Sequence, residues 1–422
     1  MSTATLTPIA PEALKATGRP RWYWPVVLIG SLLVISTVRV ITGANDIDSS
    51  GALAAAIGLA MPLALAGLGG LWSERAGVTN IGLEGMMILG TWGGAFFGYH
   101  YGPWVGILGA IFMGAIGGAI HAVATVIFGV DHIVSGVAVN LLGAGAGSYL
   151  AVRTFSNLPG GGPTQSPPLQ KLPDLSIPGL GEVLLGWEKS GIWLLADIAG
   201  VLRAVTTDVN ILVIIAVGLL IGSWWLLWRT PFGLRLRSCG EAPHAAETLG
   251  VNVLRFKFLA VVVSGALAGL AGGFLVLVAS NLYREGQTGG RGYIGLAAMI
   301  FGNWRPGGLA AGAMLFGYAD AIQLRGRGDV IHAYLLPIGL MLLAWGVWQL
   351  VRRAQGKPIT GALWRMALAL VVLAWYALPT EVPAEFTSMT PYIATLLVLA
   401  FSSQRLRMPA ADGQIYRKGE AN

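Results

Sequence analysis

Asn80 and Glu84 are the residues best placed to do chemistry from inside an apolar stretch. They lie in Ser73-Glu74-Arg75-Ala76-Gly77-Val78-Thr79-Asn80-Ile81-Gly82-Leu83-Glu84-Gly85, and with Met87 and Thr91 they fall at i, i+4, i+7 and i+11, one face of a helix. An amide and a carboxylate in an apolar span are costly in lipid and normally point into a helix bundle or a water-filled path. Gly77, Gly82 and Gly85 permit an unwound turn, the kind of backbone that lines transport cavities. The expectation is a substrate path through Asn80, Glu84, Thr91 and, further along, the mid-span Asn140. The structural alternative is a buried Glu84 that pairs with Arg75 or a neighbouring helix and fixes packing.

Other embedded polar groups are scattered: His121 with Thr125, Ser135 near Asn140, and Tyr318, Asp320 and Gln323 close to Arg325. The His121 pair reads as an interhelical hydrogen bond, and Asp320 and Gln323 as groups near a membrane edge. No two histidines have metal-ligand spacing, and no G-x-S-x-G occurs. Gly356-Lys357 runs into Pro358, so there is no phosphate-binding loop and ATP hydrolysis is not expected of this chain. No metal or cofactor is expected.

These residues need a scaffold, and composition says which. Of 422 residues, 55% are hydrophobic and only 11% charged, against about 25% charged in an average soluble domain. Apolar stretches of about 20 residues recur along the chain, which predicts an all-α, polytopic transmembrane bundle of about 10–12 spans, some short or broken. Candidate spans run over 24–41, 51–72, 78–98, 103–128, 132–152, 209–228, 256–281, 292–302, 309–324, 332–351, 363–378 and 392–401. The piece 292–302 is too short to cross straight. Between the two halves lies a Pro- and Gly-rich segment, 153–208, in which Val183 to Ala199, with Trp187 and Trp193, reads as one helix along the membrane surface. Small residues four apart (Gly114 and Gly118; Gly143 and Gly147; Gly265, Gly269 and Gly273) predict close helix packing and no chemistry.

Twelve crossings put both termini on one side, and the basic residues assign that side to the cytoplasm. Lys15, Arg19 and Arg21 precede the first span, Arg352, Arg353 and Lys357 follow the tenth, and Arg405, Arg407, Arg417 and Lys418 end the chain. Arg325 and Arg327 lie on the wrong side in this count. The layout is then a cytoplasmic tail (1–23), a membrane region (24–152), an extracytoplasmic loop (153–208), a second membrane region (209–404) and a cytoplasmic tail (405–422). The net charge of +7 reads as loop asymmetry and contact with membrane lipids, not nucleic-acid binding. The single cysteine, Cys239, excludes an internal disulfide.

The densest basic cluster is the loop 229–256, with Arg229, Arg235, Arg237 and Arg255. Within it Glu241 to Leu249 reads as a short helix, with Pro243 suited to a first turn and Gly250 to a stop. Such a helix is either a docking surface or a plain connector.

SERAGVTNIGLEGMMILG together with TPFGLRLRSCGEAPHAAETLGVNVLRFKFLAVVVSGALAGLAGGFL, and Phe301-Gly302-Asn303-Trp304-Arg305-Pro306, resembles the permease family of ABC importers for nucleosides, ribose-type sugars and branched-chain amino acids. The nucleoside or simple-sugar branch is the most similar. The resemblance covers roughly Gly51 to Gln323, plus the end from Pro391. It implies a type II importer-like permease that works with a second permease subunit, cytoplasmic ATPase subunits that bind the ATP, and an extracytoplasmic substrate-binding lipoprotein. It also implies that Glu241, Ala242, Pro243, His244, Ala245, Ala246, Glu247, Thr248, Leu249 and Gly250 form the coupling helix that docks on the ATPase. Nucleosides are the expected substrates, with simple sugars or branched-chain amino acids as alternatives. Two other classes stay in view: an ion-coupled carrier with Glu84 as proton carrier, and a membrane-embedded enzyme, for which no nucleophile, base and orienter stand at sensible spacing.

Overall fold

The computed structural model describes residues 23–325, 328–351, 360–378, 382–387, 389–393, 395–396 and 406–419. The basic residues before the first span, Arg327, those after the tenth span, Arg405 and part of the last candidate span lie outside them.

The described chain is helical, with one two-residue antiparallel pairing of Asp174–Leu175 with Val209–Asn210. The helices are α1 (Tyr23–Thr42), α2 (Ser50–Arg75), α3 (Leu83–Tyr101), α4 (Pro103–Ala122), α5 (His132–Phe155), α6 (Leu180–Lys189), α7 (Leu195–Thr206) and α8 (Ile211–Arg229). After them come α9 (Pro231–Glu241), α10 (Pro243–Thr248), α11 (Val253–Phe274), α12 (Arg291–Phe301), α13 (Pro306–Arg325), α14 (Gly328–Val351), α15 (Thr360–Ala377) and the short α16 (Ala384–Thr387). A π turn extends α4 to Ile127, and another extends α11 to Ala279. Seven described helices are long and apolar enough to cross a membrane: α2, α4, α5, α8, α11, α14 and α15. α3 and α13 have the length, at 19 and 20 residues, but glycine and polar side chains dilute them. With 11 residues, α12 reaches only about 16 Å, roughly half of a hydrocarbon core.

α2 and α11 form the buried centre, walled by α3, α4, α12 and α13. Glycine makes that density possible, as its spacing predicts. A Cβ on Gly114 would lie 2.3 Å from the Gly265 carbonyl oxygen, and one on Gly143 would lie 2.5 Å from that of Gly85. Backbone thus meets backbone where lipid supplies no hydrophobic drive for association.

The bundle has two distinct ends. At one, Ser50 at the start of α2 meets Glu188 of α6 and Arg203 of α7. At the other, the end of α2 packs on α9, and a Cβ on Gly240 would sit 2.4 Å from the Arg75 carbonyl oxygen. The guanidinium of Arg325 lies against Gly51, so α13 ends beside α6 and α7, where the twelve-crossing count puts it despite its charge. The surface stretch 183–199 is not one helix. α6 ends at Lys189, a turn follows, and α7 starts at Leu195, whose preceding residue Leu194 has φ +65°. The break is tied down by Asp197, which accepts from the Leu194 amide, from Ser36 and, through both carboxylate oxygens, from Arg39. Asp48 packs beside it. Burial, then the neighbouring Asp197 carboxylate, push the Asp48 carboxyl up to about 8.

Gly269→Ala would put its methyl 2.3 Å from the Ala110 carbonyl oxygen and should cost about 1–3 kcal/mol. Gly145→Ala, with nothing within 4 Å, should be neutral or gain up to about 1 kcal/mol. Thermal unfolding of the purified protein in detergent checks both; equal melting of the two variants would contradict the packing argument.

Candidate functional site: a broken span and a half-helix

The candidate site is where α2 fails to continue into α3. The helix stops at Arg75, Gly77 turns the chain at φ +82°, and residues 76–82 run unwound before α3 starts at Leu83. Leu83 packs on Gly69 and Gly70, five to six residues before the end of α2. The unwound segment therefore climbs back about 8–9 Å into the bundle. Asn80 lies in it, before the helix begins, so Asn80 does not share a helical face with Glu84 and Thr91. The i, i+4 pattern fails because Gly77 and Gly82 break the helix between them.

A buried unwound segment must satisfy its backbone from elsewhere. The polar side chains that look scattered in the sequence converge to do so. Lys257 Nζ donates to the Gly77 carbonyl (3.2 Å), and His121 Nε2 meets the Thr79 carbonyl (3.2 Å) while its Nδ1 meets Ser135 Oγ (2.8 Å). That pairing requires the proton on Nε2, so His121 accepts from Ser135. The Thr79 amide donates to His132 Nδ1 (3.3 Å). Asn140 bridges the break, donating to the Ile81 carbonyl (2.9 Å) and accepting from the Gly85 amide (2.7 Å). Asn80 accepts from the Gly82 amide (3.0 Å) and donates to Ser264 Oγ (2.8 Å).

Glu84 meets a helix end. Its Oε1 accepts from the Gly290 amide (2.9 Å) and its Oε2 from the Gly292 amide (2.7 Å), so the carboxylate sits on the N-terminus of α12. Charge and helix dipole are complementary there. Arg75 is not its partner: its guanidinium donates to the Trp304 carbonyl (2.9 and 2.7 Å) and lies 3.6 Å from Glu241. A Cβ on Gly292 would fall 2.7 Å from the Glu84 amide nitrogen, so this contact requires glycine. Thr91 is buried two turns further along α3 and donates to the Ile88 carbonyl of its own helix (2.6 Å).

Of the four expected path residues, Asn80, Glu84 and Thr91 are buried and Asn140 is half-buried. Asn140 leads to residues that sequence reasoning missed. Its amide donates to the Tyr293 hydroxyl (2.9 Å), and Tyr293 is 46% exposed. Two turns further along α5, Ser148 donates to the exposed Glu285 (2.6 Å). Together they form a polar stripe on the otherwise apolar outer face of α5. The available signal was the short, Gly-flanked segment 292–302, since interrupted helices in transporters point to binding sites.

In the loop 229–256, the expected Glu241–Leu249 helix is the end of α9 plus α10, split at Ala242 (φ −150°). Pro243 and Ala246 bury inward, while Ala245, Thr248 and Leu249 face out, Leu249 being 84% exposed. Glu247 accepts from Tyr416 (2.6 Å). Asn303 and Trp304, at φ +56° and +51°, make the turn between α12 and α13, and Trp304 Nε1 donates to Glu74 (2.5 Å). The three stretches that carry the resemblance thus meet at the end of α2.

A polytopic helical bundle with a broken span and a half-helix is the architecture of a membrane permease. The family model described as branched-chain amino acid transport system / permease component matches residues 52–345, and the chain belongs to that family. It is 33% identical to the guanosine ABC transporter permease protein NupQ of Bacillus subtilis, over 86% of this chain and 94% of that protein. It is 30% identical to the nucleoside ABC transporter permease protein NupC of Lactococcus lactis, over 85% and 94%. It is 32% identical to the putative glucose ABC transporter permease protein TsgC13 of Haloferax volcanii, over 88% and 98%. No solved structure matches the chain.

Glu84→Ala leaves the buried Gly292 amide and the half-buried Gly290 amide without acceptors, each worth about 1–3 kcal/mol. The variant should lose roughly 2–5 kcal/mol of stability, with Glu84→Gln, which keeps one acceptor, in between. Unfolding in detergent is the check, and wild-type stability in Glu84→Ala would refute the role of the carboxylate as the anchor of α12.

Proposed function

We propose that this protein is the permease subunit of an ATP-binding-cassette importer that moves nucleosides across the cytoplasmic membrane. The observation that carries the reading is the length of the match to NupQ and NupC, which includes the broken span, the half-helix and α9–α10. ATP is bound and hydrolysed by partner ATPase subunits. A second permease subunit completes the path, and an extracytoplasmic lipoprotein delivers the substrate. Both termini face the cytoplasm in this reading, supported by Arg229, Arg235, Arg237 and Arg255 at the α9–α10 end.

Each part of the site takes a role. The residues Glu241 to Gly250 form the coupling helix, with Ala245, Thr248 and Leu249 against the ATPase. Asn80, Glu84, Thr91 and Asn140 belong to the substrate path: Glu84 aims α12, Asn80 and Thr91 shape the wall behind it, and Asn140 with Tyr293 faces the passing molecule. An amide and a phenol suit hydroxyls and base edges, and the ring of Tyr293 suits a nucleobase face. In transporters a half-helix N-terminus often binds an anionic substrate group, but the Glu84 carboxylate already occupies that of α12. That favours a neutral polar substrate over an amino-acid carboxylate. A simple sugar is the second reading, supported by the likeness to TsgC13.

The test is uptake of labelled guanosine by cells lacking only this gene, with unlabelled adenosine, uridine, ribose, glucose and leucine as competitors in the parent strain. Uptake should fall, and only nucleosides should compete. Complementation with Asn140→Ala or Tyr293→Ala should restore roughly a tenth of the wild-type rate or less, the loss expected from one or two polar contacts. Unchanged guanosine uptake with lost ribose, glucose or leucine uptake would overturn the substrate assignment.

A further inference from the structure

The C-terminal stretch 406–419 lies across the α9–α10 end and touches both the docking helix and the broken span. The Arg407 amide donates to Asn303 Oδ1 (2.7 Å), that of Ala410 to Glu241 Oε2 (3.2 Å), and that of Ala411 to the Gly240 carbonyl (2.8 Å). The Tyr416 hydroxyl donates to Glu247 of α10 (2.6 Å), and its buried ring stands 5.3 Å from the His244 ring and 5.8 Å from Lys257 Nζ. On the other side, Thr79 of the unwound segment donates to Asp412 Oδ1 (3.3 Å). A Cβ on Gly77 would lie 3.0 Å from Gly240 Cα and 3.1 Å from the Ala411 carbonyl oxygen, so three backbones are stacked there. The Asp412 side chain is buried beside the end of α2. Burial pushes Asp412 up to about 6.

We propose that residues 406–419 are a transmission strap: Tyr416 and Asp412 are positioning residues that make α10 and the unwound segment 76–82 move as one body. A displacement of α10 then reaches Thr79 and Asn80 directly, through one short segment anchored at both ends. Without the strap, α10 reaches that segment through α9 and the Gly240–Gly77 contact, and through α11, whose Lys257 donates to the Gly77 carbonyl. The inference rests on the reading of α10 as the ATPase-docking helix.

The experiment uses the complete transporter in proteoliposomes, with guanosine transported per ATP hydrolysed as the readout and co-purification of the ATPase as the assembly control. Tyr416→Phe, which keeps the ring and removes only the hydroxyl, and Asp412→Ala should retain the ATPase and its hydrolysis. Transport per ATP should drop about tenfold, the worth of one charge-assisted hydrogen bond. Asp412→Asn, which keeps an acceptor for the Thr79 hydroxyl, should restore most of the coupling. An unchanged ratio in assembled Tyr416→Phe and Asp412→Ala overturns the strap. Leu249→Asp tests the underlying reading separately: it touches the docking face and not the strap, and an undiminished hold on the ATPase would sink the docking assignment.

Discussion

One contact sets the geometry of the permease: the Glu84 carboxylate on the amides of Gly290 and Gly292. A buried carboxylate needs strong partners, and a helix N-terminus provides amides and a favourable dipole. The helix end can meet Glu84 only if α12 begins inside the bundle, so α12 is short and the chain must dip inward to reach it. Gly295 then lies against Gly67, eight residues before the end of α2, and the turn through Asn303 and Trp304 closes on Glu74 and Arg75. Gly292 is required at the contact itself, because any side chain would strike the Glu84 backbone.

The unwound segment 76–82 depends on the same economy. Most of it is buried, and three surrounding helices lend side chains to it: Asn140 and His132 from α5, His121 from α4, and Lys257 and Ser264 from α11. Each is a polar group in an apolar helix, and each has a partner at the break. Such a segment can shift as a unit when its supporting helices shift, which suits a path that must open to alternate sides. The polar stripe of Asn140, Tyr293, Ser148 and Glu285 lies on the lipid-level face of the chain, where a polar surface must meet water or a partner subunit.

Much of this is legible in the sequence. Span positions, close packing at Gly114, Gly143, Gly265 and Gly269, and a break near Gly77 and Gly82 follow from hydrophobic length and small-residue spacing. Composition points to a polytopic helical membrane protein, and the family match to a permease agrees. The failures are local. Periodicity puts Asn80 on the helix with Glu84, because an i, i+4 pattern cannot reveal that glycines unwind the turn between them. The stretch 183–199 looks continuous, because the break at Leu194 is held by Ser36 and Arg39, 158 residues away. Tyr293, Glu285 and the tail at Asp412 and Tyr416 are invisible as site residues, since only the fold brings them to α5 and to α10.

The central claim, that this chain forms the path of an importer driven by a separate ATPase, is tested most directly by guanosine accumulation in proteoliposomes containing the whole complex. Accumulation should require ATP, stop when the ATPase subunits are left out, and continue when an uncoupler collapses the proton gradient at constant ATP. Accumulation that proceeds without ATP and vanishes with the uncoupler would contradict it and make Glu84 a proton carrier instead.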